Sequence, residues 1–242
     1  MITIILGMHR SGTSVVAGIL HFNKVIMGTY ETFWPRPLPQ NPKGIYENYD
    51  FRKINDAILF SSGYNVKDYK PNVPVPKIIE RSKMIKTIQK YESNFKNWGW
   101  KDPRTCLTIS NWMLIFEEME LLEKLKIIFV LRSPLAVARS LKKRNTLPLK
   151  DGISLWETYN RRAINFCESN NIPTIYLSFE EILKKPVKQC KKLFKFLSLP
   201  FDKSVIKDFV DKDISTNDEG EPFVLSEDIL ALENKIEKLT LL

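Results

Sequence analysis

Residues 2–20 read ITIILGMHRSGTSVVAGIL, and this stretch decides the fold. Residues 2–6 form a continuous apolar run, which is typical of a strand covered on both faces. A loop bracketed by Gly7 and Gly12 follows, and the apolar spacing after it predicts a helix over 13–22. A buried strand, a glycine-bracketed loop and a helix are the architecture of a phosphate-binding loop, in which backbone N–H groups and the helix N-terminus attract an anion.

The loop departs from a nucleotide-triphosphatase loop at one position. Thr13 stands where those enzymes carry the lysine that reaches the β- and γ-phosphates, and the strong cation of the loop is instead Arg10. Ser14 has the position of a magnesium ligand, but Arg132 stands at the end of the apolar run 126–131, where an acidic partner is needed. The sequence therefore predicts an anion site that does not hydrolyse a triphosphate.

Apolar runs and helical patterns alternate along the rest of the chain. Strands are predicted at residues 98–101, 126–132 and 173–178, and helices at 49–60, 77–96, 109–125, 133–144 and 153–169, with short helices to residue 210. This order predicts an α/β fold with a P-loop-type, mainly parallel β-sheet flanked by helices on both faces. Ligands of such sheets bind at the carboxyl ends of the strands, where the loop, Lys101, Asp102 and Arg132 fall.

The last part of the chain differs in composition from the rest. Residues 211–222 read DKDISTNDEGEP, which is typical of a linker. The amphipathic helix after it places five apolar residues on one side: Ile229, Leu230, Leu232, Ile236 and Leu239. We expect a main domain over 1–212, followed over 213–242 by a linker and a helix that packs on the domain or on a partner, so a homodimer stays open.

The composition is that of a basic globular protein, with a formal net charge of +9 on 242 residues. Such a charge concentrates anions near the surface, yet aromatic residues are not interleaved with basic ones as on nucleic-acid-binding surfaces. No stretch is long and apolar enough to span a membrane, and no basic region precedes the first apolar run, so we expect a cytoplasmic protein. Cys106, Cys167 and Cys190 are too widely spaced for a zinc site and are predicted to be small apolar fillers.

Four motifs together carry a family resemblance: GMHRSGTS at 7–14, NPKGIYE at 41–47, WKDPRT at 100–105 and FVLRSPLAVARSLKKR at 129–144. In this order they resemble the sulfotransferases that use 3′-phosphoadenosine-5′-phosphosulfate (PAPS), in particular the bacterial branch, with likeness to protein-tyrosine sulfotransferases around KDP. The resemblance covers residues 1–185. It implies sulfuryl transfer from PAPS to a hydroxyl or amine, release of adenosine 3′,5′-bisphosphate (PAP), and no required metal.

The resemblance also implies which residues bind the donor. The family binds the 5′-phosphosulfate with its first loop, which matches Arg10, Ser11, Gly12, Thr13 and Ser14. The family binds the 3′-phosphate with an arginine at a strand end and a serine in the next helix, which match Arg132 and Ser140. Phe179 stands where members place an aromatic ring against the adenine. The C-terminal Arg-Lys-Gly motif of animal members is absent, which leaves open what closes the donor site beyond residue 185.

Sulfuryl transfer requires charge stabilisation and removal of a proton from the acceptor. Arg10 and Lys101 are the candidates for charge stabilisation, and Lys101 matches the lysine of the family's KDP element. Because the glycan and tyrosine branches use a carboxylate as general base, Glu47 is the preferred base and Asp102 the alternative. Asp102 has a competing explanation, since it can pair with Arg104 or cap the following helix.

The two histidines are weaker candidates for the base. His21 falls on the first predicted helix and is expected to be a packed or capping residue. His9 lies inside the anion loop, where a contact with the cofactor is more plausible than proton transfer.

Two loops, at 30–48 and 61–76, are predicted to shape the acceptor pocket, which suits a small molecule or a glycan. The first is rich in proline, and we expect its aromatic residues to form an acceptor wall: Tyr30, Phe33, Trp34 and Tyr46. Two other functions stay open. The runner-up is a P-loop kinase or NTPase without the usual loop lysine, and the third is a basic protein that binds nucleotides or nucleic acid.

Overall fold

Four parallel strands form the centre of the fold. The computed structural model describes residues 1–34, 44–70, 72–76, 80–210 and 222–241. The strands are β1 (Ile2–Leu6), β2 (Trp98–Lys101), β3 (Leu125–Leu131) and β4 (Thr174–Ser178), in the spatial order β2-β1-β3-β4. β1 lies in the middle, where Ile4 pairs with Trp100 on one side and Ile127 on the other. The parallel sheet predicted from the sequence is confirmed.

Helices cover both faces of the sheet. In the described ranges they are α1 (Thr13–Phe22), α2 (Tyr49–Ser61), α3 (Arg81–Asn94), α4 (Thr105–Glu118), α5 (Pro134–Asn145), α6 (Leu149–Ser169), α7 (Phe179–Lys184), α8 (Pro186–Leu197), α9 (Ile206–Phe209) and α10 (Glu227–Leu241). Alternate residues of β3 enter two separate cores. Phe129 packs with α2 to α6 and α10, whereas Ile128 and Val130 pack with α1 and α7 to α9. The predicted two-faced α/β arrangement is therefore confirmed.

The helix predicted over 109–125 begins and ends earlier, as α4. It begins directly after β2 because the Asp102 carboxylate accepts a hydrogen bond from the Arg104 backbone N–H at 3.1 Å, which turns the chain. It ends before Glu120, whose φ of 57° is left-handed and stops a helix. Leu125 consequently begins β3 instead of ending the helix.

The other predicted boundaries differ by a few residues. The helix predicted over 77–96 is α3, and residues 77–79 lie outside the described ranges. The helix predicted from residue 153 begins at Leu149, directly after Pro148, a residue favoured at helix starts.

The C-terminal helix α10 packs on the rest of the chain. Ile229, Leu232 and Ile236 are buried in the same core as α6. Leu230, which the sequence placed on the apolar side, is 43% exposed, so the buried stripe is narrower than predicted. The predicted linker lies almost entirely in residues 211–221, outside the described ranges.

Candidate functional site

The loop between β1 and α1 leaves backbone N–H groups for a ligand. Gly12 precedes α1 with a φ of 81°, and no side chain caps the first amide groups of that helix. A Cβ at Gly12 would collide with the Phe179 ring, so this position requires glycine. Gly7 donates its N–H to Cys106 Sγ at 3.1 Å, which ties the start of the loop to α4. The strand, loop and helix predicted from residues 2–20 are present.

Arg10 joins two motifs that lie far apart in the sequence. Its Nε donates to Ser140 Oγ at 2.8 Å, and its carbonyl oxygen accepts from Arg132 Nη1 at 2.9 Å. Burial lowers the pKa of Arg10, and the positive charges of Arg144 and Arg132 lower it further. Residues of the two motifs for which the sequence predicted anion sites therefore meet at Arg10.

A cavity of about 220 Å³ lies beside this loop, at the carboxyl ends of β1 and β2. Five predicted site residues line it: Arg10, Thr13, Ser14, Glu47 and Lys101. The other predicted site residues are not among its lining: Ser11, Gly12, Asp102, Arg132, Ser140 and Phe179. The lining is completed by His9, Ile45, Arg52, Lys67, Tyr69, Pro103, Arg104 and Arg144. Among these described residues, cationic side chains far outnumber carboxylates, so the cavity attracts anions.

Glu47 and Lys101 form a buried ion pair at the cavity. Lys101 Nζ donates to Glu47 Oε1 at 3.2 Å, and two guanidinium groups approach the other carboxylate oxygen, Arg52 at 3.7 Å and Arg104 at 3.8 Å. Lys101 is only 1% exposed. Burial lowers the pKa of Lys101, and Glu47 partly offsets this. The carboxylate is thus fixed between three cations, two from the WKDPRT motif and one from α2.

Asp102 is fully buried below the cavity. Its carboxylate accepts from Arg104 Nη1 at 2.8 Å and from Asn55 Nδ2 at 2.9 Å. Burial alone raises the pKa of Asp102, but the charge of Arg104 and the hydrogen bond of Asn55 outweigh it and lower the pKa. Asn55 in turn accepts from Thr108 and Trp112, at 2.7 and 2.8 Å. Asp102 pairs with Arg104, as the competing explanation from the sequence has it.

Arg132 faces a second cavity, of about 360 Å³, beside β3, β4 and α10. Its guanidinium lies 5.2 Å from the centroid of the Phe179 ring, and its Nη2 is buried without a hydrogen-bond partner among the described residues. Burial lowers the pKa of Arg132, against the opposing charge of Glu180. Four carboxylates line this cavity: Glu180, Glu181, Glu233 and Glu237.

The aromatic acceptor wall expected from the first loop is wrong for the described residues. Phe33 and Tyr46 pack against His21 of α1, with ring centroids 5.2 and 5.8 Å from the centroid of its imidazole. Tyr30 and Trp34 are exposed. None of the four lines the cavity beside Glu47, and residues 35–43 of this loop lie outside the described ranges. The wall facing Glu47 is cationic instead.

The histidines lie where the sequence suggested. His21 is a packed residue whose Nδ1 accepts from the Met27 backbone N–H at 3.3 Å. His9 lines the cavity and makes edge contacts with the rings of Tyr69 and Tyr159, at 5.9 and 5.8 Å. Burial lowers the pKa of His9 to about 3, helped by the charge of Arg104, so its imidazole is neutral near pH 7.

Several cavity residues were not predicted. Arg104 and Arg144 stand inside or at the end of the motifs quoted above, so their place in those motifs was an available signal. Arg52 lies on α2, five residues after Glu47, and only the packing of α2 against α4 reveals it. Lys67 and Tyr69 come from the loop at 61–76, which the sequence predicted to shape the pocket, but no motif singled out these two residues.

Two properties of the described residues bear on the class of protein. In these ranges no helix is both long and apolar enough to cross a membrane. No group of three or more His, Cys, Asp and Glu side chains there is arranged to hold a metal ion.

Comparison with known proteins adds a family. A family model described as "Sulfotransferase family" matches residues 3–203. A search of the curated proteins finds no match.

Solved structures with the same fold are sulfotransferase domains. One is the sulfotransferase domain from the Synechococcus PCC 7002 olefin synthase, at TM-score 0.59 and 17% identity, covering 98% of this chain and 94% of that one. Another, from the curacin biosynthetic pathway, has TM-score 0.61 and 15% identity, covering 97% and 96%. Sulfotransferase STF9 from Mycobacterium avium has TM-score 0.52 and 15% identity, covering 98% and 75%. At these identities the structures support the fold.

Proposed function

Because the chain belongs to the sulfotransferase family, we propose that it transfers a sulfuryl group from PAPS to a hydroxyl or amine of a small-molecule or glycan acceptor and releases PAP. The observation that carries the proposal is the 2.8 Å hydrogen bond between Arg10 and Ser140, beside the cavity that holds Glu47 and Lys101. It joins the anion loop to the helix of the RSPLAVARS motif. A donor with phosphates at both ends of its ribose requires such a pair of adjacent anion sites.

Unsatisfied polar groups fit this donor. Ser11 Oγ and Arg132 Nη2 are buried without hydrogen-bond partners among the described residues, and the first amide groups of α1 are uncapped by a side chain. An anion with several oxygens satisfies groups of this kind. When bound, PAPS supplies the sulfuryl group and a phosphate leaving group.

The donor-binding roles are assigned by position. Arg10, Ser11, Gly12, Thr13 and Ser14 belong to the loop that would bind the 5′ end. Arg132, directly after β3, and Ser140, on α5, would bind the 3′-phosphate. Phe179, whose ring lies against Arg132, would contact the adenine.

Glu47 is the general base of the proposed reaction. Its carboxylate takes the proton of the acceptor hydroxyl or amine as the bond from that oxygen or nitrogen to sulfur forms in line with the breaking bond to the phosphate oxygen. Lys101 and Arg10 stabilise the negative charge on the transferring group, so the proposal includes no metal. Asp102 lies below the cavity and does not line it, so its proposed role is indirect. Its ion pair with Arg104 holds that guanidinium 3.8 Å from the Glu47 carboxylate.

We further propose that the enzyme works in the cytoplasm on small acceptors and not on nucleic acid. All three cysteines are buried, unpaired thiols, which suits a reducing compartment. Burial raises the pKa of Cys106 to about 12, which fits the packing role predicted for it. A homodimer stays a prediction.

A thermal-shift comparison of PAP with ATP–magnesium tests the proposed function. PAP should raise the Tm of the protein, and ATP–magnesium should raise it less. Arg132→Ala should lose most of the PAP shift, whereas Lys188→Ala, which removes an exposed charge on α8, should keep it. Stabilisation by ATP–magnesium and none by PAP would favour the kinase or NTPase.

A further inference from the structure

We propose that the acceptor carries an anionic group, a carboxylate, phosphate or sulfate, which Arg52 and Lys67 bind beside Glu47. This inference rests on the proposed function, because it concerns the acceptor side of the same cavity. It narrows the acceptor from any hydroxyl or amine to one with a negative charge near the group that is sulfated.

The charges of the cavity divide into paired and unpaired groups. Lys101 is paired with Glu47, and Arg104 with Asp102 at 2.8 Å. Arg10 stands at the anion loop, on the side proposed for the donor. Arg144, on α5, lies close enough to Arg10 for its charge to lower the pKa of Arg10, so it belongs to the same side. The remaining cations of the lining are Arg52, on α2, and Lys67, on the segment after it.

Arg52 is a poorly satisfied guanidinium. Its side chain is only 17% exposed, yet its two ion pairs, with Glu47 and Asp56, are both 3.7 Å long, which exceeds a normal hydrogen bond. Its Nε faces Asp56 at this distance and makes no hydrogen bond to a described residue. A buried, charged donor without a hydrogen bond is costly, and an anionic oxygen in the cavity would satisfy the guanidinium.

Lys67 projects from a segment that is held in place. The Asn65 side chain accepts from the Lys67 backbone N–H at 3.0 Å, and Tyr64 Oη donates to the Lys70 carbonyl at 3.1 Å. Farther on, Arg162 Nη1 donates to the Pro74 carbonyl at 2.9 Å. The described part of this loop is therefore a fixed wall.

The charge of Lys67 is not matched by a neighbour. No described carboxylate forms an ion pair with its ammonium group, although Lys67 is one of the residues that line the cavity. Neither Lys67 nor Arg52 belongs to the motifs proposed to bind the donor. A second anion beside the donor explains why both cations face this space.

Matched ligands that differ only in charge test the proposal on the PAP-saturated protein. The pairs are 4-hydroxyphenylacetate against 4-hydroxyphenylacetamide, and glucose 6-phosphate against glucose, with binding measured by calorimetry and by thermal shift. In at least one pair the anion should bind about tenfold or more tightly than its neutral partner, because a hydrogen bond to a charged group contributes that much. PAP fills the donor phosphate sites, so the preference reports the remaining cavity.

Variants assign the preference to the two cations. Arg52→Gln and Lys67→Gln should each reduce the preference for the anion several-fold while PAP still binds, and Lys188→Gln should leave it unchanged. Lys67 is exposed, so its variant is informative even where Arg52→Gln folds poorly. Equal binding within both pairs, no binding by either anion, or an unchanged preference in Lys67→Gln overturns the inference. Loss of PAP binding by the unaltered protein would instead overturn the proposed function.

Discussion

The two cavities at the carboxyl edge of the sheet have opposite charge. The cavity beside β1 and β2 is lined by cations around Glu47, whereas the one beside β3 and β4 sets four carboxylates near Arg132. Both lie where parallel sheets bind ligands, so topology alone does not explain the difference in charge. The surrounding helices do: α2 and α5 bring arginines to the first cavity, and α7 and α10 bring glutamates to the second.

The largest expected effect comes from removing the carboxylate of the cationic cavity. Glu47→Gln keeps the size of the side chain but not the base, so kcat should fall about 10²- to 10⁴-fold while the Kd of PAP changes little. Steady-state kinetics with an active acceptor measure kcat, and calorimetry measures the Kd of PAP. Activity retained in this variant would assign proton transfer to another group.

The next largest effect should be on the stability of the protein, through the hydrogen bonds and ion pairs of Asp102 below the same cavity. Asp102→Ala leaves the guanidinium of Arg104 without its closest buried partner and should lower the free energy of unfolding by about 3 kcal/mol or more. Because the pKa of Asp102 is lowered, its stabilisation is present above the unfolded pKa of about 4 and is lost as the pH falls. Urea unfolding at pH 7 and at lower pH checks both statements.

Asp208→Ala is the matched control for that variant, because Asp208 is exposed on α9. Its unfolding free energy should stay close to that of the unaltered protein. An equal loss in both variants would mean that the buried network has no special role.

A smaller effect should follow from breaking the contact that joins the two anion motifs. Arg10→Ala removes the hydrogen bond to Ser140 and a charge that faces the loop, so the Kd of PAP should rise about tenfold or more. Calorimetry with PAP and with adenosine 5′-monophosphate separates the two phosphate sites. If both affinities fall by the same factor, Arg10 serves the 5′ end alone, whereas a larger loss for PAP means that it also serves the 3′-phosphate site.

The smallest effect concerns the acidic cavity. Burial raises the pKa of Glu233, and the charges of Glu237 and Glu180 raise it further. A raised carboxylate pKa favours the folded state below the unfolded pKa of about 4.3, and this contribution is lost as the pH rises. At pH 7 the free energy of unfolding of Glu233→Gln should therefore be higher than that of the unaltered protein. The gain should stay below about 1 kcal/mol, because solvent partly screens the group.

Urea unfolding at pH 4 and pH 7 sharpens that comparison. The advantage of Glu233→Gln should be present at pH 7 and shrink at pH 4. An advantage that does not change with pH would point to packing instead of charge.

How far the sequence predicted the molecule depends on how local each feature is. The anion loop was predicted because its strand, glycines and helix start are consecutive residues. Parallel β3 and the helix after Ser133 were predicted for the same reason, and the Ser133 side chain does accept from the Ala136 backbone N–H at 3.3 Å.

The surroundings of Glu47 could not be predicted in the same way. Arg52 reaches it from α2 and Arg104 from the residue before α4, and only the packed structure brings those helices together. The predicted aromatic wall is absent from the described residues beside Glu47 because of the backbone conformation at Tyr46. Tyr46 has a φ of 53°, and its ring packs with Phe33, while its neighbours Ile45 and Glu47 line the cavity.

The central place of β1 has a consequence for the order in which the chain folds. β1 precedes both of its pairing partners in the chain, which are residues 98–101 on one side and 125–129 on the other. Such non-local pairing delays folding, since the intervening chain must be ordered before the strand gains its contacts. Residues up to 129 must leave the ribosome before the loop after β1 has strands paired on both sides of β1. Until then the apolar residues of β1 stay unpaired, and exposed apolar segments of this kind are prone to aggregate.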